Sequence, residues 1–558
     1  MANDIRISGA KPTPRSESDI RVNYNDLSKI IASSNDIGSF IQAQFYSSDG
    51  GANWDQTTLP LAPGDVAHSD PAVDWTSDGT AWSFTIGIAP GANTLRGYKS
   101  IDGGANWTFD STPPATQNNV DREIMWVDHS PTSPFKDQIY VTWHNGIPAF
   151  VARRTTGAGA AWQAPVQVSG AETTGQGIGG DIKTNSAGDV FVFWPDDGGS
   201  RTVYLAKSTN GGATFGAPIS IATIFASTRR ISIPADSSRK ARVYISGGSY
   251  RTATKNLVYA LWPDLKFDAS DPPPSGCNTG LGPGNNVGSL CKSRIRFSRS
   301  TDGGATWETP RMLNDQGSLN DQFHSRLSVD ETNGFLVVIY QDTINDPGRL
   351  KTDVWMQSSS DDGVTWSTAK QVTTGQTDEN GVGADLGNQY GDYNGLSGYV
   401  GTFFPSWTDR RSGGPEEIWT AKIQMPTPIT QIRAHIITGN KDPNNDTRVY
   451  LGFEGRHGRE FRMRTTDDAN PFRENTGRDI VFGTGANVRD KEFNDPTNPS
   501  MDLTQISGAY IRIEPRQEEP WKIIDAQIFI NGSTAPIFSL KLPNIILEED
   551  AGEKVSLG

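Results

Sequence analysis

Cysteine is nearly absent. The two residues in 558, Cys277 and Cys291, are too few for a zinc site. Both lie in one glycine-rich stretch, SGCNTGLGPGNNVGSLC (275–291), where a single disulfide would pin a flexible loop. Such a bridge contributes about 3 kcal/mol by loop entropy and points to an oxidising compartment. Histidine is scarce, with 6 residues. No apolar run reaches the ~20 residues of a membrane-spanning helix, and no signal peptide is visible after MANDIRISGA. Basic residues are outnumbered, 50 against 64, for a net charge of −14, which argues against nucleic acid as a partner. Long helical periodicity is missing from residues 1–424.

What fills the chain instead is one short pattern, Ser-x-Asp-x-Gly-x-x-aromatic. It occurs as SSDGGANW (47–54), SIDGGANW (100–107), STNGGATF (208–215), STDGGATW (300–307) and SSDDGVTW (359–366), with a worn copy, TTGAGAAW (155–162). The third position falls at 49, 102, 157, 210, 302 and 361, so successive gaps are 53, 55, 53, 92 and 59. A period near 50 residues marks a repeat architecture. The chemistry of the box is that of a turn: Asp-Gly and Gly-Gly accept positive φ, and Ser and Asp oxygens bond nearby backbone N–H groups. The tryptophan can fold back over a sheet.

Around each box run short β-branched and aromatic segments between Gly, Asp, Asn and Pro turns, which are strand signals. TAWSFTIGI and LRGYKS precede the second box, and DVFVFWPD and TVYLAKS precede the fourth. Seven such units fit residues 1–424. The fifth, read from RISIPAD through LVYALWPD to SRIRFSRS, carries an insertion that explains the gap of 92. The seventh lacks a box and a fourth strand, which the N-terminal NDIRISGA could supply. The expected fold is all-β: a seven-bladed Asp-box β-propeller followed by a β-sandwich domain.

Repeated boxes on four-stranded units resemble the bacterial Asp-box (BNR-repeat) sialidase-like β-propeller proteins. The tract GDYNGLSGYVGTFFPSWTDRRSGGPEEIWTA (391–421) looks like their closing blade. The resemblance covers about three quarters of the chain and implies a fold more than an activity, because Asp-box propellers include hydrolases, lyases and non-enzymatic binders. A sialidase site does not carry over. Arg21 in IRVNY matches only the arginine of the family's Arg-Ile-Pro segment, Tyr393 has no evident paired glutamate, and seven units exceed the family's six. Propeller lyases resemble the chain in another respect: they pair His and Tyr for proton transfer with Arg against a uronate. His68, His129, His144, His324 and Tyr393 are the residues of those types here.

A boundary falls at QMPTPITQ (424–431). Residues 429–535 read as an antiparallel sandwich that faintly resembles the PLAT/LH2 type or a jelly roll. That resemblance implies a docking domain for a protein partner or larger assembly. Residues 536–558 read as an acidic C-terminal tail. In DPNND, Asp442, Asn444 and Asp446 alternate along one loop and could wrap Ca²⁺. The same loop is also ordinary turn chemistry. No other cofactor is indicated.

In a propeller, the segments leading into the innermost strands surround one axial funnel, the natural place for a concave pocket. Those segments carry His68, Asp70, Asp121, Arg122, Arg230, His324, Arg326, Asp392 and Tyr393. With such acids, bases and guanidiniums in one funnel, the resemblance to sialidase-like propellers implies a carbohydrate partner, an acidic glycan above all, in an extracellular or cell-surface protein. The chain would act as a glycoside hydrolase or polysaccharide lyase. The alternative is a non-enzymatic glycan-binding or structural component, such as an adhesin or tail-fibre protein.

Overall fold

The computed structural model describes residues 4–9, 12–113, 120–157, 159–196, 198–266, 281–443, 447–456, 458–468, 470–514, 520–533, 536–548 and 552–558. The chain forms two compact units, 1–399 with 403–423, and 400–402 with 424–558. The first unit holds six four-stranded antiparallel sheets among its described residues. They begin at Arg15–Val22, Ala67–Trp75, Val120–Val127, Asp181–Thr184, Ser246–Arg251 and Gln322–Val329. We number them sheets one to six. A seventh runs Gly395–Tyr399, Thr402–Asp409, Glu417–Ala421 and then Asp4–Arg6, so the N-terminal strand completes the last sheet.

The first strands touch one another in a closed cycle, from sheet one through to sheet seven and back. Side chains stitch this cycle. Asp19 accepts from Val73 N (3.1 Å), Asp74 from Val127 N (2.9 Å) and Asp181 from Gly247 N (2.9 Å). Ser246 Oγ accepts from Leu327 N and Ser397 Oγ from Val22 N, each at 3.1 Å. Each bond gives a strand-edge N–H a partner on the neighbouring sheet, as buried donors require.

The boxes lie between third and fourth strands. In the fifth sheet Ser300 Oγ donates to Asp302 (2.7 Å) and accepts from Gly304 N (2.8 Å), while Asp302 accepts from Thr306 N (2.9 Å). A Cβ on Gly304 would meet Leu205 of sheet four at 2.6 Å, and one on Gly104 would meet Ile31 of sheet one at 2.8 Å. The box therefore presses its sheet against the preceding one, and Trp307 packs on a core shared by sheets four and five.

The fifth unit differs from its sequence reading. RISI pairs with Asp236–Arg242 as a separate two-stranded hairpin, and the sheet begins later, at Ser246. The strand signal was real; its partner was local because a two-residue turn follows at once. Cys291 is disulfide-bonded, and Cys277 lies outside the described residues. Arg349, fully buried, grips Asp321 at 2.5 and 2.9 Å and binds the Ser289 and Cys291 carbonyls, tying down this insertion.

The second unit contains two antiparallel sheets, one around Gln431–Thr438 and Trp521–Ile530, the other around Arg448–Gly455 and Ile506–Glu514. Buried residues alternate along Gln431–Thr438 and through most of Ile506–Glu514. The segment expected as an acidic tail instead supplies strands. Phe538–Ser539 and Ile545–Leu547 pair with Trp521–Ile530, and Lys554–Leu557 pairs with Ala509–Arg512. The physical reason is that Leu547, Val555 and Leu557 are buried, so the apolar residues outweigh the acidic ones.

Candidate functional site

Six of the seven first strands are led in by a residue at positive φ: Glu17 (59°), Asp70 (50°), Arg122 (52°), Gly179 (81°), His324 (46°) and Gly391 (75°). Only two are glycine. The other four sit at β-bulges, where the ladder slips between Ser16 and Asp19, Ser69 and Ala72, Asp121 and Ile124, and Phe323 and Arg326. A bulge re-aims a side chain, and a non-glycine residue in this region costs about 1–3 kcal/mol, a strain that gathers at functional sites. All four are ionisable. Gly391 must be glycine, since its Cβ would lie 2.7 Å from Glu17 Cγ.

The bulges open onto a small cavity lined by Arg122, Arg242, Tyr244, His324, Arg326, Asp392 and Tyr393, among others. The Arg122 guanidinium lies 3.5 Å from the Tyr393 ring centroid and 5.5 Å from that of Tyr244. Among the described residues Arg122 has no ion-pair partner; its Nη1 reaches only the Glu123 carbonyl (3.3 Å), and Nε has no acceptor. Asp392 accepts from Arg239 Nε (2.6 Å), Arg242 Nε (2.9 Å) and Tyr244 Oη (3.2 Å). Burial raises its pKa, but the two guanidiniums outweigh burial and bring it to about 2. Arg242 Nη1 is left without a partner.

Both ring nitrogens of His324 and the Tyr393 hydroxyl are also buried without partners. Burial lowers the His324 pKa to about 3, so the ring is neutral, and raises that of Tyr393 well above its ordinary value, so the phenol keeps its proton. Beside them, Glu17 pairs with Arg239 and accepts from Asn35 Nδ2 (2.7 Å). Burial raises the pKa of Glu17 strongly and that of Asp70 as well. Glu123 is fully buried with both oxygens unpartnered, and burial raises its pKa too.

Of the sequence-derived candidates, the structure brings Arg122, His324, Arg326, Asp392 and Tyr393 to the cavity wall and Asp70 close behind it. Three do not line the cavity, although Asp121 acts on Asp70 and Tyr244, and Arg230 lies near Arg242 and Asp392. His68 is buried inside sheet two, its Nε2 3.1 Å from Tyr98 Oη. Asp121 turns outward, its side chain 56% exposed, because the bulge reverses direction at Arg122. Arg230 is exposed on the hairpin, which displaces it from the strand start where it was expected. The sequence reading missed Glu17, Glu123, Arg239, Arg242 and Tyr244. Alignment of the strand starts would have found Glu17, which matches Asp70, Arg122 and His324 in register. Of the Ca²⁺ candidates, Asn444 and Asp446 lie outside the described residues, and Asp442 accepts from Asn470 Nδ2 (3.0 Å). Among the described residues no group of three or more His, Cys, Asp or Glu side chains is placed to hold a metal ion. No helix there is long and apolar enough to cross a membrane.

No protein-family model matches the chain, and no curated protein matches it. Solved structures do. A protein of unknown function from Dyadobacter fermentans is 13% identical, over 76% of this chain and 98% of that one, with a TM-score of 0.38. The GH93 α-L-arabinofuranosidase of Fusarium graminearum, in complex with arabinobiose, is 11% identical over 65% and 95%, with a TM-score of 0.39. A PL25 ulvan lyase is 13% identical over 66% and 86%, with a TM-score of 0.37. Likenesses this distant add no weight to the geometry.

Proposed function

We propose that the first unit is a seven-bladed propeller of the Asp-box, sialidase-like type, and that it acts on an acidic carbohydrate at the cavity between its first strands. One observation carries this reading. Arg122 Nε, Arg242 Nη1, both nitrogens of His324 and the Tyr393 hydroxyl are all buried and unpartnered around one small space. Leaving a buried polar group unpaired costs about 1–3 kcal/mol. Several such groups in one place are supported by the ligand they are built to meet. Two guanidiniums with free N–H groups suit a carboxylate.

The protonation states assign roles. Neutral His324 takes the proton from the carbon beside the uronate carboxylate. The electron pair left behind forms a carbon–carbon double bond as the bond to the leaving sugar oxygen breaks. The Tyr393 phenol gives that oxygen a proton, and Arg122 and Arg242 hold the negative charge that builds on the carboxylate. A second, non-catalytic reading is favoured by one feature: a pKa of about 3 makes His324 a weak base. The second unit, as a sandwich, would dock the protein to a partner or larger assembly.

Incubation with uronate polysaccharides decides between these. Elimination yields unsaturated uronate ends, seen by their ultraviolet absorbance, and Arg122→Ala should lower the rate by roughly a hundredfold or more. Binding without unsaturated product leaves the glycan-binding reading. Neither binding nor product, across uronate and sialate glycans, removes both.

A further inference from the structure

A second, larger cavity lies at the other end of the same first strands. It is lined by the last residues of these strands in six of the seven sheets, Arg21 and Val22 of sheet one through Leu396–Tyr399 of sheet seven. Arg326 belongs to the walls of both cavities.

The polar surface of this cavity is rich in donors. Arg326 touches Asp181 only at 3.5 Å and makes no hydrogen bond among the described residues, although it is 5% exposed. Arg21 binds Asp19 (2.9 Å) and the Ile20 carbonyl (2.8 Å) through Nη1, but its buried Nε has no acceptor. Lys183 spends two of its three protons on Asp181 (2.6 Å) and the Ile182 carbonyl (3.0 Å). The acids that balance these cations, Asp19 and Asp181, stand behind them and do not line the space. One carboxylate does: Glu331, with a side chain 30% exposed, 3.6 Å from His129.

The walls are apolar and aromatic. Tyr24 packs on His129 at 4.5 Å, and His129 on Trp126 at 4.9 Å. Leu327, Val329 and Leu396 continue the surface. Unpartnered donors in front of withdrawn acids call for an oxyanion, and flat apolar walls call for a ring.

We propose that this opposite mouth is a second binding site, for the carboxylate-bearing end of an acidic sugar. Its carboxylate meets Arg326, Arg21 and Lys183, and its ring lies along the aromatic wall. The site stands independently of the first cavity's chemistry, since only Arg326 is common to the two.

Calorimetric titration tests it with a glucuronate-ended disaccharide and its glucose-ended counterpart, using protein carrying Arg122→Ala to disable the first cavity. The acidic disaccharide should bind one to one, and the neutral one roughly tenfold weaker or less, the loss of a charge-assisted contact. Ser328→Trp, which fills the cavity, should abolish the binding. Glu331→Gln removes the one like charge and should strengthen it by roughly threefold, the size of a partly screened pair. This variant decides the matter if the tryptophan variant fails to fold. No binding by the acidic disaccharide, equal binding of both sugars, or an affinity that Glu331→Gln leaves unchanged or weakens would each overturn the proposal. These readouts differ from those of the first cavity, which depend on Arg122.

Discussion

Arg122 concentrates what is unusual in this molecule. It is a bulky residue at φ 52°, buried, stacked on a tyrosine and without a carboxylate partner. Stability alone would favour glycine there, as at the matching Gly179 and Gly391. Ala and Gly at this position both remove the guanidinium, but only Gly accepts the backbone conformation freely. Arg122→Gly should therefore be more stable than Arg122→Ala by about 1 kcal/mol, the reverse of the usual order. Denaturant unfolding of the two variants measures this. An alanine variant as stable as the glycine one would mean that the bulge holds no strain. Sequence exposed Arg122 as a candidate but not the reason for it, because φ is invisible until the strand starts are laid in register.

The boxes and first strands show how much is legible at the scale of elements. Box spacing marked the repeat, and the turn chemistry of Ser300, Asp302 and Gly304 is what the residues suggested. Asp302→Ala should cost about 1–2 kcal/mol and Trp307→Ala about 3 kcal/mol, with glycan affinity unchanged in the folded fraction. Melting temperature and binding, measured together, check this; lost binding in a stable Asp302→Ala would give the box a functional role. Illegible were the hairpin at Arg230–Arg242, the cavity residues Arg242 and Tyr244 on or beside it, and Arg239 behind them on Asp392. A strand signal says that a segment pairs, not with what. The hairpin reaches across to Asp392, 150 residues away in sequence, through Arg242.

For the whole molecule, buried histidines set opposing pH limits. Burial lowers the His129 pKa, but Asp74 and then Glu331 outweigh it and raise it from 6.5 to about 10. Folded His129 then keeps a proton that the unfolded chain releases. Its stabilisation is full below about pH 6.5 and is lost as the pH climbs to about 10. His324 and His68 are the reverse. Burial lowers them to about 3 and about 4, so their share is present above about 6.5 and lost as the pH falls. Stability should peak near neutrality, and His129→Gln should flatten the alkaline decline while leaving the acid limb in place. An unchanged alkaline slope in urea denaturation would contradict the His129 assignment.

The central claim is that the first cavity exists to hold a sugar carboxylate. The most direct measurement is a crystal structure with an acidic oligosaccharide bound. The account predicts the carboxylate within hydrogen-bonding distance of Arg122 Nε and Arg242 Nη1, with its ring against His324 and Tyr393. A sugar seated elsewhere, or a cavity closed by direct pairing of Arg122 with a carboxylate of the chain itself, would contradict it.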